Sequence, residues 1–305
     1  MSAPSVLIDT LRQAVRDDPN FVLCDIGDNR IDIERNLNNP SAENTPDVLI
    51  SILASGLYPS TTTQMKRYGT KIILFWDDLH WYQECIHEAR HRIFRDSDLL
   101  LLPYHHVFLD MEEYTQYHHK SQWFPWFAPN ECFEDCPAWS DRSPKILLSG
   151  ASHKDIYPLR YQIYNFGRQT DNSLHILPHP GYKKSRKHNI FGSAYYTFMK
   201  TFQGAVGTTG TPYSVRKPYL ICKFFEIAGC GCTPFFEHTE ELELLGFVPG
   251  IHYVPLDSQN YKTALHLDPT NHECIAQQAQ QLVMQKHSAL IRAGQTLEKV
   301  KAIMQ

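Results

Sequence analysis

Along the first half of the chain, apolar runs bounded by polar turns recur at 21–26 (FVLCDI), 47–53 (DVLISIL), 71–76 (KIILFW) and 98–104 (DLLLLPY). These runs are apolar at nearly every position, not at every second one. That pattern predicts strands buried on both faces, as in a parallel sheet covered by helices. The intervening text agrees, since 81–97 (WYQECIHEARHRIFRDS) places its apolar residues at helical intervals. The aromatic and proline-rich stretch 122–135 (QWFPWFAPNECFED) reads as the last crossing of this region, and 136–145 (CPAWSDRSPK) as a linker.

The second half repeats the logic. Strand-like runs stand at 145–150, 173–178, 204–209, 232–237 and 252–257, separated by helical text, and the tail 272–305 is helical throughout. The pattern predicts an α/β protein of two Rossmann-like layers. No internal repeat and no low-complexity segment interrupts it.

Composition narrows the partners. With 305 residues, 42% apolar and 20% charged, the chain can fill two medium cores. Its net charge of −4 supplies no global field for nucleic acid or an anionic membrane, so neither is an expected partner. No run of about 18 apolar residues predicts a membrane span. The N-terminus carries acids where a signal peptide would be basic and then apolar, so a cytoplasmic location is expected, in a host cell if the source is viral. The cysteines at 24, 85, 132, 136, 222, 230, 232 and 274 form no paired CxxC knuckles and read as reduced thiols.

The most telling stretch is 217–231 (KPYLICKFFEIAGCG), which sets Lys223 and Glu226 within an apolar helix ending in Gly-Cys-Gly. Ionic groups three residues apart in such text face a cleft, each other or a polar ligand. An exposed i, i+3 pair on a core-packing helix explains them equally, at about 0.2 to 0.5 kcal/mol. In doubly wound sheets ligands bind beyond the carboxyl ends of strands, which singles out Gly150 and the loop Thr208, Thr209, Gly210 and Thr211. The same rule marks Asp77, Asp78 and His80, just past the 71–76 run; a helix cap would account for one of the acids but not for all three residues. His179 and Tyr182 follow another strand-like run, and Arg216 lies just upstream of the 217–231 stretch. The basic run 183–188 (KKSRKH) reads as a solvated loop or a phosphate-binding one. The adjacent histidine pairs His105–His106 and His118–His119 point in different directions on any regular element, so they do not suggest a metal site.

Five segments, 145–160, 179–182, 192–210, 217–231 and 241–257, occur in the order found in the C-terminal domain of GT-B glycosyltransferases, and the chain resembles the group-1-like transferases of bacteria, phages and large viruses over roughly 143–285. The resemblance implies a GT-B fold, with two Rossmann-like domains whose parallel sheets face each other across a cleft. It implies an acceptor-side domain at 1–142, a nucleotide-sugar domain at 143–285, and a final helix at 286–305 packing back towards the first domain. Glu226 would then accept from ribose hydroxyls and Lys223 would contact phosphates, with Gly150, Thr208, Thr209, Gly210, Thr211, Arg216, His179 and Tyr182 lining the donor site. His80, Asp78 or Asp77 would serve the acceptor. Many retaining relatives carry a second glutamate eight positions before the first; here that position is Pro218, which leaves the stereochemical course open.

The expected activity is metal-independent transfer of a hexosyl or pentosyl group from a UDP- or GDP-linked sugar to a hydroxyl of a glycan or glycoconjugate, with no cofactor beyond the nucleotide-sugar co-substrate. The alternatives are a GT-B-fold sugar-nucleotide epimerase and an inactive sugar-nucleotide-binding subunit.

Overall fold

The computed structural model describes residues 3–16, 46–52, 59–76, 84–169, 173–179, 190, 192–211 and 217–305. The apolar run at 21–26 lies outside them. The described chain divides into two compact units, one of Ile8–Pro125 with Ala293–Gln305 and the other of Met1–Leu7 with Trp126–Arg292.

After an N-terminal helix α1 (Ala3–Arg16), the first unit holds a sheet of β1 (Val48–Ile52), β2 (Lys71–Phe75), β3 (Leu99–Leu102) and β4 (Ser121–Trp123), side by side in chain order. Every pairing is parallel. The crossovers are α2 (Pro59–Arg67) and α3 (Glu84–Asp96), then α4 (His105–Leu109) with a 3-10 turn at Glu112–Lys120. Ile72, Ile73, Leu74 and all of β3 are buried, as continuous apolar runs require of strands covered on both faces. The strand β4 is new relative to the sequence reading: its three residues, two of them polar, are too few and too mixed to announce a strand.

The second unit contains β5 (Ser143–Gly150), α5 (Pro158–Gln169), β6 (Leu174–Pro178), α6 (Ser193–Met199), β7 (Phe202–Gly207), α7 (Lys223–Gly229), β8 (Thr233–Glu237), α8 (Glu240–Leu244), β9 (Val254–Leu256), α9 (Tyr261–Ala264) and α10 (His272–Lys286). A last helix, α11 (Ala289–Met304), starts in this unit and ends in the other. The strands pair in parallel in the order β6-β5-β7-β8-β9. Chain order reverses at β5, whose two neighbours are β6 and β7, and this is the switch point where doubly wound sheets bind ligands.

The core of this unit packs α5 onto the sheet through Leu159 and Ile163 against Ile146, Leu148, Val206 and Phe235. Residues 126–142 group with it through specific bonds. Trp139 Nε1 donates to Gln203 O at 2.9 Å and to Thr233 Oγ1 at 3.0 Å, and Ala128 N donates to His287 O at 2.9 Å.

Candidate functional site

The helix bearing Lys223 and Glu226 is shorter than its apolar text suggests. Pro218 lacks an amide donor, and Tyr219 pairs with Gly210 in an antiparallel bridge, so α7 begins only at Lys223. The Gly210 to Tyr219 bonds are 3.0 and 2.9 Å, and a Cβ on Gly210 would lie 2.4 Å from the tyrosine ring, which is why glycine stands there. At the other end Gly231 turns the chain at φ +66, a conformation glycine adopts without the strain of a Cβ.

Lys223 and Glu226 therefore share the first turn of α7, and among the described residues they form no ion pair with each other. Each has its own tyrosine from α6. Lys223 Nζ donates to Tyr195 Oη at 2.6 Å and to Ser149 Oγ at 3.1 Å, with Tyr195 and Ser149 hydroxyls 2.6 Å apart. Tyr196 Oη donates to Glu226 Oε1 at 3.2 Å. Glu226 is only 6% exposed, so the reading of a solvated surface pair does not describe it.

Burial works to lower the Lys223 pKa, but Tyr195 and Glu226 outweigh it and the ammonium is held above its ordinary value. Burial raises Tyr195 against the pull of Lys223, so it stays a neutral phenol and the negative charge in reach of the lysine is Glu226. Tyr196 is raised as well, by burial and then by the neighbouring Glu226.

Gly150 ends β5 at φ +103, and the point where its Cβ would stand is 3.0 Å from Arg160 Nη1 and 3.5 Å from Lys223 Cε. Two cations thus flank the same glycine. Arg160, in the first turn of α5 beside buried Leu159, is 2% exposed. It donates from Nε to Thr208 Oγ1 at 3.0 Å, from Nη2 to Thr208 O at 3.2 Å and from Nη1 to Ala151 O at 3.0 Å, and its guanidinium lies 4.0 Å from the Tyr157 ring centroid.

The loop after β7 is committed largely within the protein. Thr209 donates from both N and Oγ1 to Glu237 Oε2 at 2.8 Å, and Thr211 N donates to Ile156 O at 2.8 Å. Burial raises the Glu237 carboxyl, with the Thr209 bonds opposing it. Thr208, Thr209, Gly210 and Thr211 therefore shape the strand end and hold Arg160 and Glu237. His179 follows β6, where burial first, then Lys223, His153 and Arg160, lower its pKa.

The structure brings Gly150, Thr208, Lys223, Glu226 and His179 to the β5 end of one sheet. Tyr182, Arg216, Asp77, Asp78 and His80 lie outside the described residues. Arg160, Ser149, Tyr195, Tyr196 and Glu237 were not singled out from the sequence. An arginine on the apolar face of α5, and two adjacent tyrosines on a short helix, were the available signals. Among the described residues, no three His, Cys, Asp or Glu side chains are grouped to hold a metal ion, and no helix is long and apolar enough to cross a membrane.

Residues 152–298 match the family described as glycosyl transferase-like. Among curated proteins none matches the sequence. Solved structures share the fold at low identity. Sucrose-phosphate synthase from Thermosynechococcus elongatus aligns with TM-score 0.58 at 10% identity, over 86% of this chain and 75% of its own. Anabaena HepE, in complex with UDP, gives 0.55 at 11% identity over 84% and 79%. A putative UDP-N-acetylglucosamine 2-epimerase from Listeria monocytogenes gives 0.53 at 10% identity over 99% and 94%.

Proposed function

We propose that this chain transfers a sugar from a nucleoside-diphosphate donor to a hydroxyl of a glycan or glycoconjugate acceptor, a reading supported by the match of residues 152–298 to the glycosyl transferase-like family and by the shared GT-B fold. One observation carries the reading: Lys223 and Glu226 share one helical turn beside the switch-point strand β5, yet each is held by a separate tyrosine, not by the other charge. A cation and a carboxylate kept apart in this way suit the two ends of a ribosyl diphosphate. Lys223 would meet the phosphate oxygens, and Glu226 would accept from the ribose hydroxyls. Charge-assisted hydrogen bonds of this kind contribute about 1.5 to 3 kcal/mol each.

UDP is the first nucleotide to test, since it is bound in HepE, a structure of similar fold, and GDP is the second. Protein cations, with no bound metal or further cofactor, would balance the charge of the departing diphosphate. One of His80, Asp78 and Asp77 would take the acceptor proton, with Arg216, Tyr182 and His179 beside the donor. A cytoplasmic site of action fits a soluble sugar-nucleotide pool. The test is incubation with UDP- and GDP-sugars, with and without a glycan acceptor and a chelator. Nucleoside diphosphate release that depends on acceptor and survives chelation supports transfer. Interconversion of the sugar without acceptor points to an epimerase instead.

A further inference from the structure

Four of the eight cysteines, Cys132, Cys136, Cys230 and Cys232, gather around the C-terminal end of α7, although Cys136 and Cys230 stand 94 positions apart in the chain. No role assigned above uses them. Three behave as small core hydrophobes, since Cys132, Cys230 and Cys232 have no exposed surface. Burial, and then the neighbouring Cys230 thiol, hold both Cys132 and Cys232 above the ordinary thiol pKa.

Cys136 is different. It is half-buried, and its sulfur turns inward: Sγ donates to Cys132 O at 3.3 Å and to Cys230 O at 3.8 Å, and accepts from Gln280 Nε2 at 3.3 Å. The residue before it, Asp135, stands at φ +47, the one non-glycine residue at positive φ among the described residues. That left-handed turn is costly for a residue with a Cβ, and it brings the Cys136 thiol back over the helix end. The backbones approach closely there as well, because a Cβ on Gly229 would stand 3.0 Å from those of Cys132 and Ala128. One solvent-reachable thiol thus covers three buried ones. Among the described residues no such group is arranged to hold a metal ion, and the chemistry left to neighbouring thiols is oxidation to a disulfide.

We infer that Cys136 and Cys230 form a peroxide-sensitive dithiol switch, which on oxidation ties the 130–136 segment to the end of the helix bearing Lys223 and Glu226. The Cys136 sulfur attacks one oxygen of a hydroperoxide, the O–O bond breaks, and water or an alcohol leaves with the thiol proton, giving a sulfenic acid. The Cys230 sulfur then attacks that sulfur. The hydroxyl departs as water with the Cys230 proton, and the S–S bond forms. The peroxide gains two electrons, the two thiols lose two hydrogens, and a dithiol reductant reverses the step. The inference stands apart from the nucleotide-sugar reading.

The test is exposure of wild type, Cys136→Ser, Cys230→Ser and Cys274→Ser to a small molar excess of hydrogen peroxide, followed by blocking of the remaining thiols, peptide mass mapping and a thermal melt. Wild type is expected to lose two thiols, to yield a linked peptide pair containing Cys136 and Cys230, and to regain both thiols with dithiothreitol. Its melting midpoint should rise by roughly 5 to 10 °C on oxidation, because the bridge closes a long loop. Cys274→Ser, which removes an exposed thiol elsewhere, should behave as wild type, while Cys136→Ser and Cys230→Ser should form no bridge. If Cys230→Ser does not fold, Cys136→Ser decides, since that side chain is only half-buried. Oxidation of Cys136 to sulfinic acid without a bridge, a bridge between any other pair, or undiminished thiol loss in Cys136→Ser overturns the inference.

Discussion

Two buried arginines of one unit, at opposite ends of the same sheet, differ in what surrounds them. Arg142 lies at the C-terminal end of α7, where Nη1 donates to Cys230 O at 2.9 Å and Gly231 O at 2.8 Å, and Nε and Nη2 both reach Pro137 O. Its acceptors include the last carbonyls of a helix, where the backbone dipole already favours positive charge. Arg160 sits at the switch point, with Lys223 on the far side of Gly150 and the Glu237 carboxylate within electrostatic reach. The first arrangement ends on protein carbonyls alone; the second spends three donors on Thr208 and Ala151 and lies across Gly150 from a lysine. Residue type and burial are the same, and what separates them is the charge each one faces.

The contrast is broken most forcefully from the structural side. Arg142→Ala leaves several buried carbonyls without a donor and is expected to lower stability by about 4 kcal/mol, read as a fall in thermal or urea midpoint. Nucleotide affinity of the protein that remains folded should be unchanged. A parallel loss of affinity at full stability would erase the distinction.

Next comes pH. His287 donates from Nε2 to Leu245 O at 2.8 Å, and its Nδ1 accepts from Arg292 Nη2 at 2.9 Å, so it is folded as the neutral ring. Burial, and then Arg292, push its pKa down to about 4. The folded value lies below the unfolded one near 6.5, so the folded state binds fewer protons between them. Stability is therefore fully present above about pH 6.5 and falls as pH drops towards 4, by about 3 kcal/mol. Replacement by Gln should flatten that slope in denaturant titrations. An unchanged slope would assign it to other groups.

On the binding side, Lys223→Met should weaken nucleoside diphosphate binding by about 2 kcal/mol while moving the melting midpoint little, because this lysine is only partly buried. A larger loss of stability than of affinity would move Lys223 into the structural class. The smallest expected effect is that of Tyr195→Phe, which removes the hydroxyl shared by Lys223 and Ser149 and should cost about 1 kcal/mol of diphosphate affinity. It is read in the same titration, with nucleoside binding as the internal reference.

The parallel sheets were legible because Ile72, Leu100, Leu147 and Phe235 belong to runs apolar at nearly every position, a signal that survives without any long-range information. Lys223 and Glu226 were legible for a related reason, since charge within apolar text is anomalous wherever the chain places it. Their partners were not. The Arg160 to Thr208 bond joins residues 48 apart and the Lys223 to Ser149 bond residues 74 apart, and only strand order brings such positions together. Glycines 150 and 210 look alike as turn residues in the sequence. The structure separates them: one opens a cradle between two cations, and the other admits the Tyr219 ring.

Glu226 and its neighbours are proposed to hold a nucleoside diphosphate. The most direct measurement is calorimetric titration of wild type and Glu226→Ala with UDP, GDP, dTDP, ADP and CMP in the absence of added metal. Micromolar binding of one diphosphate is expected, weakened by about 1.5 to 3 kcal/mol in the variant. Absence of binding by every nucleotide, or equal binding by wild type and a folded Glu226→Ala, would contradict it.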